Sequence, residues 1–246
     1  MRAITHPSTT RGLSGFVVML SLLSAGCGGG LDMLSGQDAY ADTSLEEEEG
    51  SAIPCPEELP YASEVVAFTP GPGAGYGQAN LSDVVLGPPT PGPPTSGSLD
   101  VLTLGVGGDI VLGFGERLIV NGPGPDLVVW ENPFWLGGDP ENPFAELGEV
   151  AVSEDGETWH VFPCDPELEE GFDPTCAGWR ARGEFDPCTL IPLDPELSGG
   201  DPFDLEILGL EAVRYVRIRD LSTEGHPPSA GFDLDAVGAV YLEATD

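Results

Sequence analysis

Five oxygen-bearing side chains sit where two short apolar runs end. Asp126 and Glu131-Asn132 bracket the run 127–130, and Asp233 and Asp235 lie two residues apart in the run that closes the chain. If these runs form neighbouring strands, their acidic ends meet. Carboxylate and amide oxygens are the donors that Ca²⁺ takes, commonly about six to eight per ion. Residues 233 and 235 share one strand face, and a buried face holds two carboxylates only with a cation or hydrogen-bond donors beside them. The expected metal set is therefore Asp126, Glu131, Asn132, Asp233 and Asp235, with solvated strand-end carboxylates as the ordinary alternative in a chain of 42 acids. Glu131 and Asp235 would also suit a two-carboxylate glycan hydrolase if they faced each other across roughly 5–9.5 Å.

Trp135 follows these acids in a Gly/Pro-flanked loop, where an exposed indole offers a platform for a sugar ring. Trp130, Phe134, Phe144 and Tyr76 read more simply as packing residues. Arg214, Arg217 and Arg219 are expected to neutralise the acidic surface, with Arg217 and Arg219 on one strand face pairing with Asp233 or Asp235. The run 71–77 (GPGAGYG) imitates a phosphate cradle, but no lysine and no helix follow, so it reads as a surface loop. His160 and His226 accompany no nucleophile motif, and no catalytic residue is assigned.

The elements that must position these residues are strands. Short β-branched or apolar runs separated by Gly, Pro, Asp and Asn predict strands near 63–69, 99–104, 109–114, 117–121, 126–131, 148–153, 158–162, 212–219 and 233–243. Asp155-Gly156 predicts a hairpin, with Trp159 on its return strand and packed on the core. Within 212–219, Val216 to Arg219 alternate apolar and basic, the pattern of a half-buried strand. Helical periodicity is confined to one short turn over 204–210. Residues 87–97 are loop, because a run this rich in Pro and Gly cannot pair in a ladder. Residues 164–200 form a long excursion stapled by disulfide rather than by core. The fold class is all-β, an antiparallel β-sandwich of jelly-roll type with long Gly/Pro-rich loops, occupying 61–246.

Residues 1–26 read as a signal peptide: Arg2 and Arg11, an apolar stretch from Leu13 to Leu23, then Ser24, Ala25 and Gly26 before Cys27. Leu-Ser-Ala-Gly-Cys resembles the lipobox of bacterial lipoproteins, which implies lipidation of Cys27 and anchoring in a bilayer. Gly28 in place of Asp resembles the outer-membrane sorting pattern of Gram-negative bacteria. Residues 27–60 follow as a tether, with Gly28, Gly29 and Gly30 in succession and the run Glu46 to Glu49. With Cys27 lipidated, Cys55, Cys164, Cys176 and Cys188 remain, an even number in an oxidising compartment. Four cysteines allow three pairings. The favoured one joins Cys164 to Cys176 locally and Cys55 to Cys188; a zinc site lacks the expected ligand spacing.

The formal charge is −34 and no lysine is present. Such a surface repels phosphate backbones and anionic headgroups, which argues against nucleic-acid partners and for cations.

The strings 153–159 (SEDGETW) and 214–218 (RYVRI), with a closing strand after them, resemble discoidin-type, galactose-binding-like jelly rolls. The longer set 107–114 (GGDIVLGF), 121–134 (NGPGPDLVVWENPF) and 231–237 (GFDLDAV) resembles a group of bacterial cell-surface proteins. The resemblance implies a displayed domain that often carries structural calcium and binds glycans or another surface component. A structural envelope component is the remaining alternative.

Overall fold

The computed structural model describes residues 55–93, 95–139, 143–167, 175–191 and 193–245. The signal peptide, Cys27 and nearly all of the tether lie outside the described residues.

The strands, in chain order, are β1 (Glu64–Thr69), β2 (Leu102–Thr103), β3 (Asp109–Gly113), β4 (Arg117–Val120), β5 (Leu127–Trp130), β6 (Phe134–Trp135), β7 (Pro143–Phe144) and β8 (Gly148–Ser153). They continue as β9 (His160–Val161), β10 (Asp201–Phe203), β11 (Ala212–Val213), β12 (Tyr215–Asp220), β13 (Asp233–Leu234), β14 (Ala236–Ala239) and β15 (Leu242–Ala244). Among the described residues, helix is limited to short turns such as Pro195–Ser198 and the 3₁₀ turn Leu205–Leu208. The latter falls inside the predicted 204–210, and its entry is capped by the Asp204 carboxylate, which accepts from Glu206 N–H.

All strand pairs are antiparallel. One sheet runs β1-β3-β12-β8-β9; a second runs β10-β5-β14 and a third β11-β4-β15. The main core joins their inner faces: Ile110, Leu112, Val150, Val152, Val216 and Ile218 from the first meet Leu127, Val129, Phe203, Val237 and Ala239 from the second. The protein is thus an all-β antiparallel sandwich.

Alternation in β12 does what its pattern requires. Val216 and Ile218 are fully buried, while Arg217 is half-buried and Arg219 exposed. β5 is buried on both faces, which explains its unbroken apolar run. Leu127 and Val129 enter the main core, whereas Val128 and Trp130 join a second cluster with Tyr61, Leu193 and Ala236. Phe185 stacks on Trp130 at 6.3 Å. Core contacts as well as disulfides therefore tie down the excursion after residue 164, contrary to the expectation that disulfide alone would hold it.

β10 falls outside the runs predicted as strands. Proline has no N–H to donate, and β10 accommodates it by lying at a sheet edge. The other edge of that sheet is covered by residues 60–62: Ala62 N–H donates to the Val237 carbonyl and Ala239 N–H to the Pro60 carbonyl. Disulfides join Cys55 to Cys188 and Cys164 to Cys176, the expected pairing.

The hairpin forms at Asp155-Gly156, with Gly156 at φ 77° and β8 paired to β9. Trp159 does not enter the core. It is half-buried, with the Arg217 guanidinium 4.6 Å from its ring centroid. Among the described residues no helix is long and apolar enough to cross a membrane.

Candidate functional site

β5 ends at Trp130, and the chain leaves the sheet as Glu131-Asn132-Pro133 before the small β6–β7 hairpin. β14 runs alongside, with Ala236 opposite Trp130, so Asp235 arrives beside this exit. Asp235 N–H donates to the Trp130 carbonyl at 3.0 Å. Two loops close over the junction, one at 90–98 and one at 181–184. Together they enclose a cavity of about 220 Å³ whose walls include Glu131, Asn132, Trp135, Asp235, Arg182 and Glu184. Four residues picked out from the sequence thus meet in one cavity, joined by two from a loop without any periodic signal.

Asn132 braces the wall. Its Oδ1 accepts from Ser98 N–H and its Nδ2 donates to the Ser98 carbonyl at 3.0 Å. Gly97, at φ 67°, leaves room for that amide; a Cβ there would stand 2.2 Å from Asn132 Oδ1. Asp235 is 5 % exposed, and its Oδ1 accepts from Thr90 N–H at 2.9 Å. Burial pushes its carboxyl up to about 7, against the pull of Thr90 and the Arg182 charge. Arg182 donates to the carbonyls of Pro89, Gly183 and Phe185 and lies 4.5 Å over the Phe185 ring.

Glu131 is 4 % exposed. Its Oε1 accepts a long hydrogen bond from Asp233 N–H at 3.4 Å, and its Oε2 has no partner. Burial drives this carboxyl well above the usual range, and repulsion from Asp233, Glu146 and Asp201 adds to the effect.

The five residues expected to form a calcium shell do not converge. Asp126 lies at the opposite end of β5, roughly 16 Å from Glu131 along the strand. Its Oδ1 accepts from Gly122 N–H and its Oδ2 from Leu205 N–H, both at 2.7 Å. Asp233 accepts from the hydroxyls of Thr103 and Ser229. Asn132 uses its carbonyl oxygen on Ser98. Among the described residues no group of three or more His, Cys, Asp or Glu is arranged to hold a metal ion. The donor set therefore does not fit one calcium ion.

The expected arginine pairs are also replaced. Arg214 donates to the Gly115 carbonyl, Arg217 covers Trp159, and the cation acting on Asp235 is Arg182.

Asp126 is instead a brace between loops. Replacing it with Ala leaves two N–H groups unsatisfied, one of them on fully buried Leu205. The expected loss is about 3 kcal/mol, measured as a shift in the urea midpoint at unchanged slope.

Sequence reasoning passed over Asp220, which braces the segment before β13. Its carboxylate accepts from Phe232 N–H, Gly107 N–H and Ser222. Glu146 accepts from Gly231 N–H. These contacts fix the turn that delivers Asp233 and Asp235.

Of the other concavities, one of about 160 Å³ beside Phe162, Phe203 and Ile207 is mainly apolar; its acid, Asp201, accepts three backbone N–H bonds from 178–180. No protein-family model matches the chain, and no curated protein matches it in sequence.

Proposed function

We propose that this protein is a lipid-anchored, extracytoplasmic binding module of the bacterial outer envelope, taking a glycan or another surface component into the Trp135 cavity. The observation that carries the reading is the meeting of a half-buried indole, two buried carboxylates and an arginine at one end of a rigid sandwich. An aromatic face with a few fixed polar groups is how small polar ligands are held and oriented. The volume is below the roughly 300–1,000 Å³ of drug-sized sites, so the cavity suits a single sugar ring or chain end. The signal-peptide reading, the resemblance of the residues before Cys27 to a lipobox and the tether support a location outside the cytoplasm. The resemblance to galactose-binding-like surface domains points the same way.

Immobilised glycans should retain the 55–246 domain, and Trp135→Ala should weaken the strongest hit about tenfold, the scale of one lost aromatic stack. A glycan array without a retained ligand, or an unchanged Trp135→Ala, would remove the reading.

One observation favours hydrolysis as a second reading: Glu131 and Asp235 line the same cavity. Burial would keep Glu131 protonated as the acid while Asp235 acts as base or nucleophile. New reducing ends released from the retained glycan by the wild type, and not by Glu131→Gln, would turn the assignment from binding to catalysis.

A further inference from the structure

Asp235 and Arg182 stand in the wall of the same cavity as Trp135. Each acts on the other's charge: Arg182 draws the Asp235 carboxyl down against its burial, and Asp235 helps to keep the guanidinium charged. Yet no hydrogen bond joins the two. Asp235 Oδ1 takes the Thr90 N–H, and the guanidinium nitrogens donate to the carbonyls of Pro89, Gly183 and Phe185. These bonds hold both groups in place without exhausting them. A guanidinium has five N–H donors and a carboxylate about four acceptor sites, so both keep hydrogen-bonding capacity.

The wall is also close to neutral. The Asp235 and Arg182 charges offset each other, and burial keeps Glu131 in its protonated form. Glu184 is exposed, so water screens its charge.

We infer that Asp235 and Arg182 select the ligand of this cavity: an uncharged sugar ring stacks on Trp135, one hydroxyl donates to the Asp235 carboxylate, and the adjacent hydroxyl accepts from the Arg182 guanidinium. This deepens the binding reading above and rests on it.

Three arguments select this ligand. A hydroxyl both donates and accepts, so two neighbours on one ring can bridge a fixed acceptor and a fixed donor that are not bonded to each other. Hydrogen bonds to charged partners are the stronger kind, and the bonds to Thr90 and to the three carbonyls already hold these partners still. A charged sugar upsets the balance: an ammonium only donates and meets Arg182, while a carboxylate only accepts and meets Asp235 and Glu184.

The test is calorimetric titration of the 55–246 domain at pH 7 with D-glucose, D-galactose, D-mannose, D-glucosamine and D-glucuronate. At least one neutral hexose should bind, about tenfold or more tighter than both charged sugars. The monodeoxy forms of that hexose are titrated next. Loss of either of two hydroxyls on adjacent carbons should weaken binding at least about tenfold, because it leaves a polar group of the wall unpaired. Asp235→Asn keeps an oxygen for Thr90 N–H but removes the charge, and should weaken the hexose about tenfold as well. Should that variant fail to fold, Arg182→Lys, which keeps the charge without the planar fork, should give a similar loss.

Equal or tighter binding of glucosamine or glucuronate overturns the inference while leaving a sugar site in place. So does a hexose whose affinity depends on no adjacent pair of hydroxyls, or one that the folded variants bind as the wild type does. No heat from any of the five sugars overturns it too, whatever longer glycan an array retains.

Discussion

The melting temperature of this domain falls by roughly 10 °C as pH rises from 5 to 8, the reverse of the usual protection of folded proteins near neutrality. The cause is a set of carboxyls that folding makes harder to ionise. Burial pushes Asp235 and Glu146 up to about 7, and repulsion from Asp233 adds to Glu146. Burial also raises Glu131 and Asp233. In the unfolded chain all four titrate near 4. Between about pH 4 and 7 the folded state therefore binds more protons, so stability is full below the unfolded pKa and is lost as pH climbs through the folded one.

After discounting Glu146, which is half-buried and screened, the loss is on the order of 3 kcal/mol between pH 5 and 8. At about 2–4 °C per kcal/mol for a domain of this size, that gives the shift stated. Asp155 acts in the opposite sense: N–H bonds from Thr158 and Glu157 hold it down at about 2, so its contribution fades only below pH 4. Maximum stability accordingly lies near pH 4–5. Differential scanning calorimetry across pH 3–9 in chelator checks this; a melting temperature that stays level or rises from pH 5 to 8 refutes it.

The second large effect is covalent. Replacing Cys55 and Cys188 together by Ser removes a link across 133 residues. Closing so long a loop restricts the unfolded chain strongly, and its loss should cost roughly 4–5 kcal/mol. The Cys164–Cys176 link spans 12 residues and should be worth about 3 kcal/mol. Chemical denaturation of the two double-Ser variants orders them; a smaller loss for the longer link would contradict the loop-closure account.

Much of the scaffold could be read from residue types. Apolar runs bounded by turn residues located β1, β3, β4, β5 and β8 within a residue, while the single run expected over 212–219 divides into β11 and β12. The alternation in β12 also told which side chains enter the core. The even count left after Cys27 pointed to disulfides, and among three possible pairings the short local loop favoured Cys164 with Cys176, as the structure has it. β10 escaped notice because Pro202 argues against a central strand, and nothing local reveals that its partner, β5, leaves it an edge position.

The cavity was half legible. Glu131, Asn132, Trp135 and Asp235 stand beside strand ends, where sequence points to them. Arg182, Glu184 and Thr90 come from loops with no periodic pattern, brought in by packing distant in sequence. Asp126 misled for a definite reason: a carboxylate at a strand end is equally suited to metal or to backbone N–H groups. Only the approach of Gly122 and Leu205 decides between them.

The Cys55–Cys188 link also determines how the domain bears load. A pull between the residues preceding Cys55 and the end of the chain can pass directly from one sulfur to the other. Strands β1 to β9 lie inside the closed loop, so tension bypasses them and falls on β10 to β15. A module held by its leading end in a flowing medium would keep four strands of its largest sheet out of the line of force and load only the fifth, β12.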